Sequence, residues 1–351
     1  MVINTKMGTL KDQLKKLKKS ALIGLVGSVT VTLLWFVLFS SRNVRTLGLS
    51  IFGAAVVIFV LKIAYDFVIE KMGITKKFLA NELFILFALI AFLATTICAF
   101  APVMLFASVH NERAEKRLNA YAANGNIEEL SYETVNGTLH GWFLHNAQGS
   151  APTVLYFCGN GEDAAGRVLQ LLENENICSV FSGYHFACVD YPGYGNSEGV
   201  SSEESFKNMG LSAYDCLMNR DDVNNITLMG YSLGTGVANY VASERQPAGL
   251  ILMAPYADGY DLYNSYVNIF HGPLKALVTF KMKSVKFAEK VNVKPLLLAS
   301  NMDEQVPYES SVELFKQYKK GCNFVTIDEI GHNDFWETQE VLDEIEKYLK
   351  Q

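Results

Sequence analysis

A basic excess is missing from this sequence: 30 lysines and arginines face 36 aspartates and glutamates, for a formal charge of −6. Without a positive field the chain has no means of gathering phosphate backbone, so nucleic acid is excluded as a partner. Metal spacing is missing too. Cys98, Cys158, Cys178, Cys188, Cys216 and Cys322 include no Cys-x-x-Cys pair, no zinc pattern and no disulfide framework. Five of these six follow residue 110, an odd number that leaves at least one unpaired, and buried free thiols are expected. Internal repeats and low-complexity segments are also absent.

Charge is scarce overall, at 19% of 351 residues against 50% hydrophobic, and it is scarcest before about residue 110. Residues 21–39 carry no charge and are about long enough for a ~30 Å hydrocarbon core. The stretch 47–61 is shorter and reaches spanning length as 47–65 if Lys62 snorkels. Residues 83–107 are uncharged and long enough to cross with tilt, with Pro102 near the end. A cleaved signal peptide would end its apolar region in small residues, whereas Phe39, Ser40, Ser41 and Arg42 lead into another apolar run. Residues 1–109 are therefore expected to be a membrane anchor of about three transmembrane helices, 21–39, 47–65 and 83–107. No acidic or histidine side chain lies mid-span, so packing explains Ser28, Thr30 and Thr32 better than a transport path. Lysine and arginine in the flanks place the N-terminus in the cytoplasm and, with three crossings, the rest of the chain on the extracytoplasmic side.

Past a polar connector, 110–129, expected to be helical to about residue 124, the pattern changes to short β-rich runs. Residues 132–135 and 139–144, around Asn136-Gly137, read as a hairpin. Apolar runs follow at 153–158, 185–190, 226–230, 250–254, 296–300 and 324–328, with helix-length segments between most of them. Such alternation predicts an α/β fold, a mostly parallel sheet covered by helices, with an antiparallel hairpin at one edge, over 130–351.

The run 226–229 leads into Gly230-Tyr231-Ser232-Leu233-Gly234 and then a helical stretch. Strand, turn and helix in that order make G-x-S-x-G a nucleophile elbow: the turn excludes side chains at its flanks, and the serine hydroxyl stands out above the sheet. A serine hydroxyl needs a base, and the base an orienting acid. Both follow in chain order: Asp303 after the run 296–300, and His332 after the last one. His110, His140, His145, His185 and His271 lack that placement, and Asp258 or Asp261, one strand earlier, is the rival acid. The N–H of Leu233, next to the nucleophile, and that of Asn160, in Cys158-Gly159-Asn160-Gly161-Glu162, are the expected oxyanion donors.

These motifs, together with Asp190-Tyr191-Pro192-Gly193-Tyr194-Gly195-Asn196-Ser197, Asp303 before Val306-Pro307, and Gly331-His332, resemble membrane-anchored α/β-hydrolase-domain proteins of the Bem46-like type over about residues 130–350. The resemblance implies the α/β-hydrolase fold. It also implies hydrolysis of carboxylic esters or thioesters, small-molecule or lipid-like, through an acyl-enzyme without metal or organic cofactor. The family usually has histidine where Cys158 stands, which leaves the geometry of that loop open. A catalytically silent membrane-anchored binding protein on the same fold is the alternative. Residues 255–291 form a lid or belong to the core, with Tyr256, Tyr260, Tyr263, Tyr266 and Phe270 as its aromatic content.

Overall fold

The computed structural model describes residues 105–351, except 124, 135, 136 and 267, together with Leu86 and Ile90. The expected spans 21–39 and 47–65, and nearly all of 83–107, lie outside the described residues. Among the described residues no helix is long and apolar enough to cross a membrane.

In the compact unit Met104–Gln351 the apolar runs are strands, and all but the edge runs 132–135 and 324–328 are buried along most of their length. Strand β1 is Ile127–Thr134, β2 Gly137–Leu144, β3 Ala151–Phe157, β4 His185–Val189, β5 Val223–Tyr231, β6 Gly249–Met253, β7 Leu296–Ser300 and β8 Asn323–Ile327. They form one sheet in the order β1-β2-β4-β3-β5-β6-β7-β8. β2 is antiparallel to both neighbours, and the strands from β4 to β8 run parallel. Continuous burial of β4, β6 and β7 follows from helices packed on the sheet. The helices are α1 Glu112–Ala122, α2 Ala164–Glu173, α3 Glu175–Val180, α4 Glu203–Met218, α5 Leu233–Glu244, α6 Gly259–Tyr266, α7 Ser284–Ala288, α8 Tyr308–Phe315 and α9 Gln339–Leu349. Helix α5 packs on β5, β3 and β6, and α2 on β2 and β4. The chain leaves β3 toward β4 and returns to β5 on the other side. The loops after β3 and β5 therefore part at a switch point, where an open α/β sheet leaves a crevice.

The edge hairpin closes one residue earlier than Asn136-Gly137 predicts. Thr134 pairs with Gly137, which puts 135 and 136 in the turn, and both lie outside the described residues. Gly137 is required for another reason: a Cβ there would lie 2.8 Å from the Glu198 Cβ. Glu198 runs beside β2, its N–H donating to Thr138 O at 2.9 Å and its Oε2 accepting the Thr138 N–H at 3.0 Å.

The expected connector contains α1, which packs on α2 and β1. Its N-cap, Asn111, accepts the Ala114 N–H at 3.1 Å, while its own N–H donates to Asp163 Oδ2. Leu105 and Phe106, at the end of the third apolar stretch, belong to the core of this unit at 1% and 6% exposure. The Phe106 ring lies 5.1 Å from Phe206 and 5.5 Å from Phe280. Of the cysteines among the described residues, Cys158 and Cys188 are buried, Cys178, Cys216 and Cys322 are half-buried, and none forms a disulfide.

The turn after β4 buries Asp190, whose Oδ1 accepts the Ala164 N–H at the start of α2 at 2.7 Å. Gly195 is pressed against it, since a Cβ there would meet Asp190 Oδ2 at 2.1 Å. Burial pushes the Asp190 carboxyl up to about 7. An unfolded aspartate titrates near ~3.9, so the folded state binds this proton more tightly. Its stabilisation is complete below that unfolded value and is lost as pH rises through about 7. Asp190→Asn removes the titration and keeps an acceptor for Ala164. Its melting temperature relative to the wild type should therefore rise between pH 5 and pH 8, and a pH-independent difference would show that Asp190 ionises normally in the fold.

Candidate active site

Strand β5 ends at Tyr231 and α5 begins at Leu233, which leaves Ser232 alone to make the turn. Its backbone has φ 49° and ψ −118°, a region that costs a non-glycine residue ~1–3 kcal/mol. The surroundings enforce it: the Ser232 N–H donates to Met253 O at 2.9 Å, and Thr235 Oγ1 donates to Ser232 O at 2.6 Å. The flanking glycines are steric necessities. A Cβ on Gly230 would stand 2.6 Å from Gly234 O, and one on Gly234 would stand 2.1 Å from Phe157 O.

His332 opens a 3₁₀ turn, His332–Glu337, after β8. Its Nε2 lies 2.9 Å from Ser232 Oγ and its Nδ1 2.7 Å from Asp303 Oδ2. The other oxygen, Asp303 Oδ1, accepts the N–H groups of Gln305 and Val306, each at 2.8 Å. Three donors thus fix the carboxylate, and the imidazole is only 3% exposed. The loops bearing acid and base are tied together, with Ser300 Oγ donating to Ile330 O at 2.6 Å and the His332 N–H to Glu304 Oε2 at 3.2 Å. The Tyr231 ring stacks on the imidazole at 5.3 Å, and its hydroxyl donates to His332 O at 2.6 Å. Ser232, His332 and Asp303 are therefore brought together in a line that can pass a proton from hydroxyl to imidazole.

The rival acids are engaged elsewhere. Asp261 accepts the Ser310 hydroxyl, and Asp258 Oδ1 accepts the Tyr260 N–H at 3.3 Å. Burial holds the Asp258 carboxyl up at about 6, and neither group touches His332.

Asn160 and Leu233 line the same cavity as Ser232 and His332. Among the described residues neither backbone N–H has a backbone acceptor. The Asn160 side chain is pinned: Oδ1 accepts the Ala107 N–H at 2.8 Å and the Tyr194 hydroxyl at 3.0 Å. Cys158 lies buried with Sγ 3.3 Å from Cys188 Sγ, and burial pushes both thiols up and leaves them protonated.

The cavity holds about 260 Å³. Leu105, Leu262 and Tyr266 supply apolar lining, and Glu162, Arg167 and Gln170 polar lining. The segment 255–291 divides between the two roles set out for it: Tyr256, Tyr263 and Phe270 are buried core, whereas Tyr266 is exposed at the cavity. Sequence reasoning missed the roles of Tyr231, Glu162, Arg167 and Trp336. Glu162 and Arg167 are near each other in sequence at the start of α2, but their link to Trp336 bridges nearly half of the chain.

A family model described as "Alpha/beta hydrolase of unknown function (DUF1057)" matches residues 171–271. The chain is similar to an uncharacterized protein of Mycobacterium tuberculosis, 29% identical over 227 residues, which are 63% of this chain and 78% of that one. It is also similar to the lysophosphatidylserine lipase ABHD12 of Gallus gallus, 28% identical over 190 residues, 50% of this chain and 49% of the lipase, so it spans about half of that relative. An α/β hydrolase structure from Vibrio vulnificus superposes with a TM-score of 0.55 at 20% identity, covering 74% of this chain and 91% of that one.

Proposed function

We propose that the chain is a membrane-attached serine hydrolase of the α/β-hydrolase superfamily, cleaving carboxylic esters or thioesters through an acyl-enzyme. The observation that carries the reading is the run of contacts from Ser232 Oγ through His332 to Asp303, with Ser232 and His332 lining a cavity. Ser232 Oγ attacks the acyl carbon while His332 Nε2 takes its proton, and Asp303 offsets the charge of the imidazolium. The N–H groups of Leu233 and Asn160 receive the oxyanion, each such donor being worth ~2.7–4 kcal/mol. His332 returns the proton to the leaving alcohol or thiol. Water, deprotonated by the same imidazole, then releases the acid and regenerates Ser232. The reaction needs no metal or organic cofactor.

A lipase among the relatives supports an amphiphilic acyl substrate. The volume of about 260 Å³ is just below the ~300–1,000 Å³ of ordinary ligand pockets, so it takes the ester and the start of a chain. The rest of a long chain must leave by the mouth. The apolar stretches 21–39, 47–65 and 83–107 would hold the enzyme at a membrane, where long acyl chains are found, with the catalytic unit on the extracytoplasmic face by the charge of the flanks. The test is an acyl series of esters and thioesters assayed on membranes after Ser232 has been shown to react with a fluorophosphonate. Medium and long chains should turn over faster than acetyl, and an acetyl preference would remove the lipid-like substrate. In a variant otherwise free of thiols, a cysteine near Gln351 should react with an impermeant maleimide in intact cells; reaction only after lysis would put the unit in the cytoplasm.

A further inference from the structure

Two ionised side chains lie against the oxyanion loop without a part in these proton transfers. Glu162 Oε1 pairs with Arg167 Nη2, and Oε2 accepts the Gly159 N–H at 2.8 Å and the Tyr156 hydroxyl at 3.1 Å. Arg167 is 8% exposed; its Nη1 donates to Gln170 Oε1 at 2.6 Å, and its guanidinium lies 4.5 Å from the centre of the Trp336 ring. Trp336 shares the 3₁₀ turn of His332, and its indole N–H donates to the Tyr156 hydroxyl at 3.3 Å. A Cβ at Gly159 would come within 2.7 Å of Tyr231, whose ring stacks on His332, and 3.5 Å of Glu162 Oε2.

A buried ion pair gives up in desolvation much of what it gains in attraction, and apolar side chains of the same volume would often hold the fold as well. Its geometry here serves the loop. Glycine has the widest backbone freedom of any residue, so the peptide unit carrying the Asn160 N–H follows a hinge unless Gly159 is anchored. A carboxylate binds an N–H about twice as strongly as a neutral acceptor, and three donors on two oxygens keep Glu162 from turning.

Building on the serine-hydrolase reading, we infer that Glu162, held by Arg167, is a positioning residue that fixes the oxyanion loop and, through Trp336, ties it to the loop carrying His332. Neither side chain touches the reacting atoms in this role. It readies the Asn160 N–H before the oxyanion forms, so its loss falls on the transition state and spares ground-state binding.

Glu162→Gln and the charge-free pair Glu162→Leu with Arg167→Met test this, the second leaving no lone buried ion. Each is assayed for kcat and KM, for its pH profile, and for binding of an alkyl trifluoromethyl ketone, which forms a hemiketal oxyanion on Ser232, beside the corresponding alcohol, which does not. Both variants should lose about 10–100-fold in kcat, with KM within about twofold. Ketone affinity should fall by the same factor as kcat, while alcohol affinity and the pH midpoint stay put. Wild-type kcat in either variant, or a loss shared by KM and the alcohol, overturns the inference. Failure of both variants to fold overturns it equally, because the pair would then be holding the structure. A wild-type protein that reacts with neither fluorophosphonate nor ketone overturns the serine-hydrolase reading and this inference with it, whereas a reactive wild type with unaltered variants overturns the inference alone.

Discussion

Ser232→Ala is expected to cost about a million-fold in kcat and to abolish fluorophosphonate labelling, with the melting temperature nearly unchanged. The size of the loss follows from the chemistry: without Oγ there is no acyl-enzyme, and His332 has no proton to take. The fold should be spared because, among the described residues, the only hydrogen bond of Oγ is with His332 Nε2 at 2.9 Å, and alanine keeps the Cβ in a turn that backbone bonds to Met253 and from Thr235 already enforce. The assay is single-turnover labelling alongside steady-state hydrolysis on the same preparation. Persistent turnover in a clean alanine variant would sink the serine mechanism. A wild-type protein that neither labels nor turns over any ester would point instead to a binding protein on this fold.

Asp303→Asn should lower kcat by roughly 10⁴, the scale known for neutralising a triad aspartate. The direction comes from the hydrogen bonds. Oδ1 of residue 303 accepts the N–H groups of Gln305 and Val306 at 2.8 Å each, so an asparagine would keep its carbonyl oxygen there and turn its NH₂ toward His332 Nδ1. Nδ1 would then have to accept. The proton moves to Nε2, and the imidazole can no longer take one from Ser232. Asp258→Asn, outside this chain of contacts, should change kcat only a few-fold. If Asp258→Asn were the more damaging, the acid would belong after β6 and the placement of Asp303 would be incidental.

The elbow was readable in the sequence because every constraint on it is local. A buried strand, a turn with no room for a Cβ at Gly230 or Gly234, and a helix behind it occupy one short segment, and the motif states all of them at once. The strands were legible for a similar reason: burial on both faces demands unbroken apolar runs, and β7 is Leu296–Ser300, the very residues of one such run. Local pattern erred where a distant neighbour decided. Asn136-Gly137 favours a turn at those two residues, yet Glu198, packed beside β2, needs Gly137 for its own approach, and the hairpin closes one residue earlier. The polar connector, by contrast, forms the helix expected of it, α1, and only the fold lays that helix on α2 and β1.

What the sequence by itself determined is thus the set of chemical groups and their order along the chain: a strained serine, an acid and a histidine, each at the end of a strand. Which acid faces the histidine, and what steadies the oxyanion loop, only the tertiary structure decided. Asp258, Asp261 and Asp303 all follow strands. Only the loop after β7 is tied to the loop after β8, by Ser300 and Ile330 and by Glu304 and His332, and lies within 2.7 Å of the imidazole. Glu162, after β3, and Trp336, after β8, are likewise far apart in the chain and meet around Arg167 and Tyr156, although β5, β6 and β7 stand between their strands in the sheet. Hydrogen bonds and ion pairs act over a few ångströms, and at such sequence separations it is the packing of the sheet that sets those ångströms.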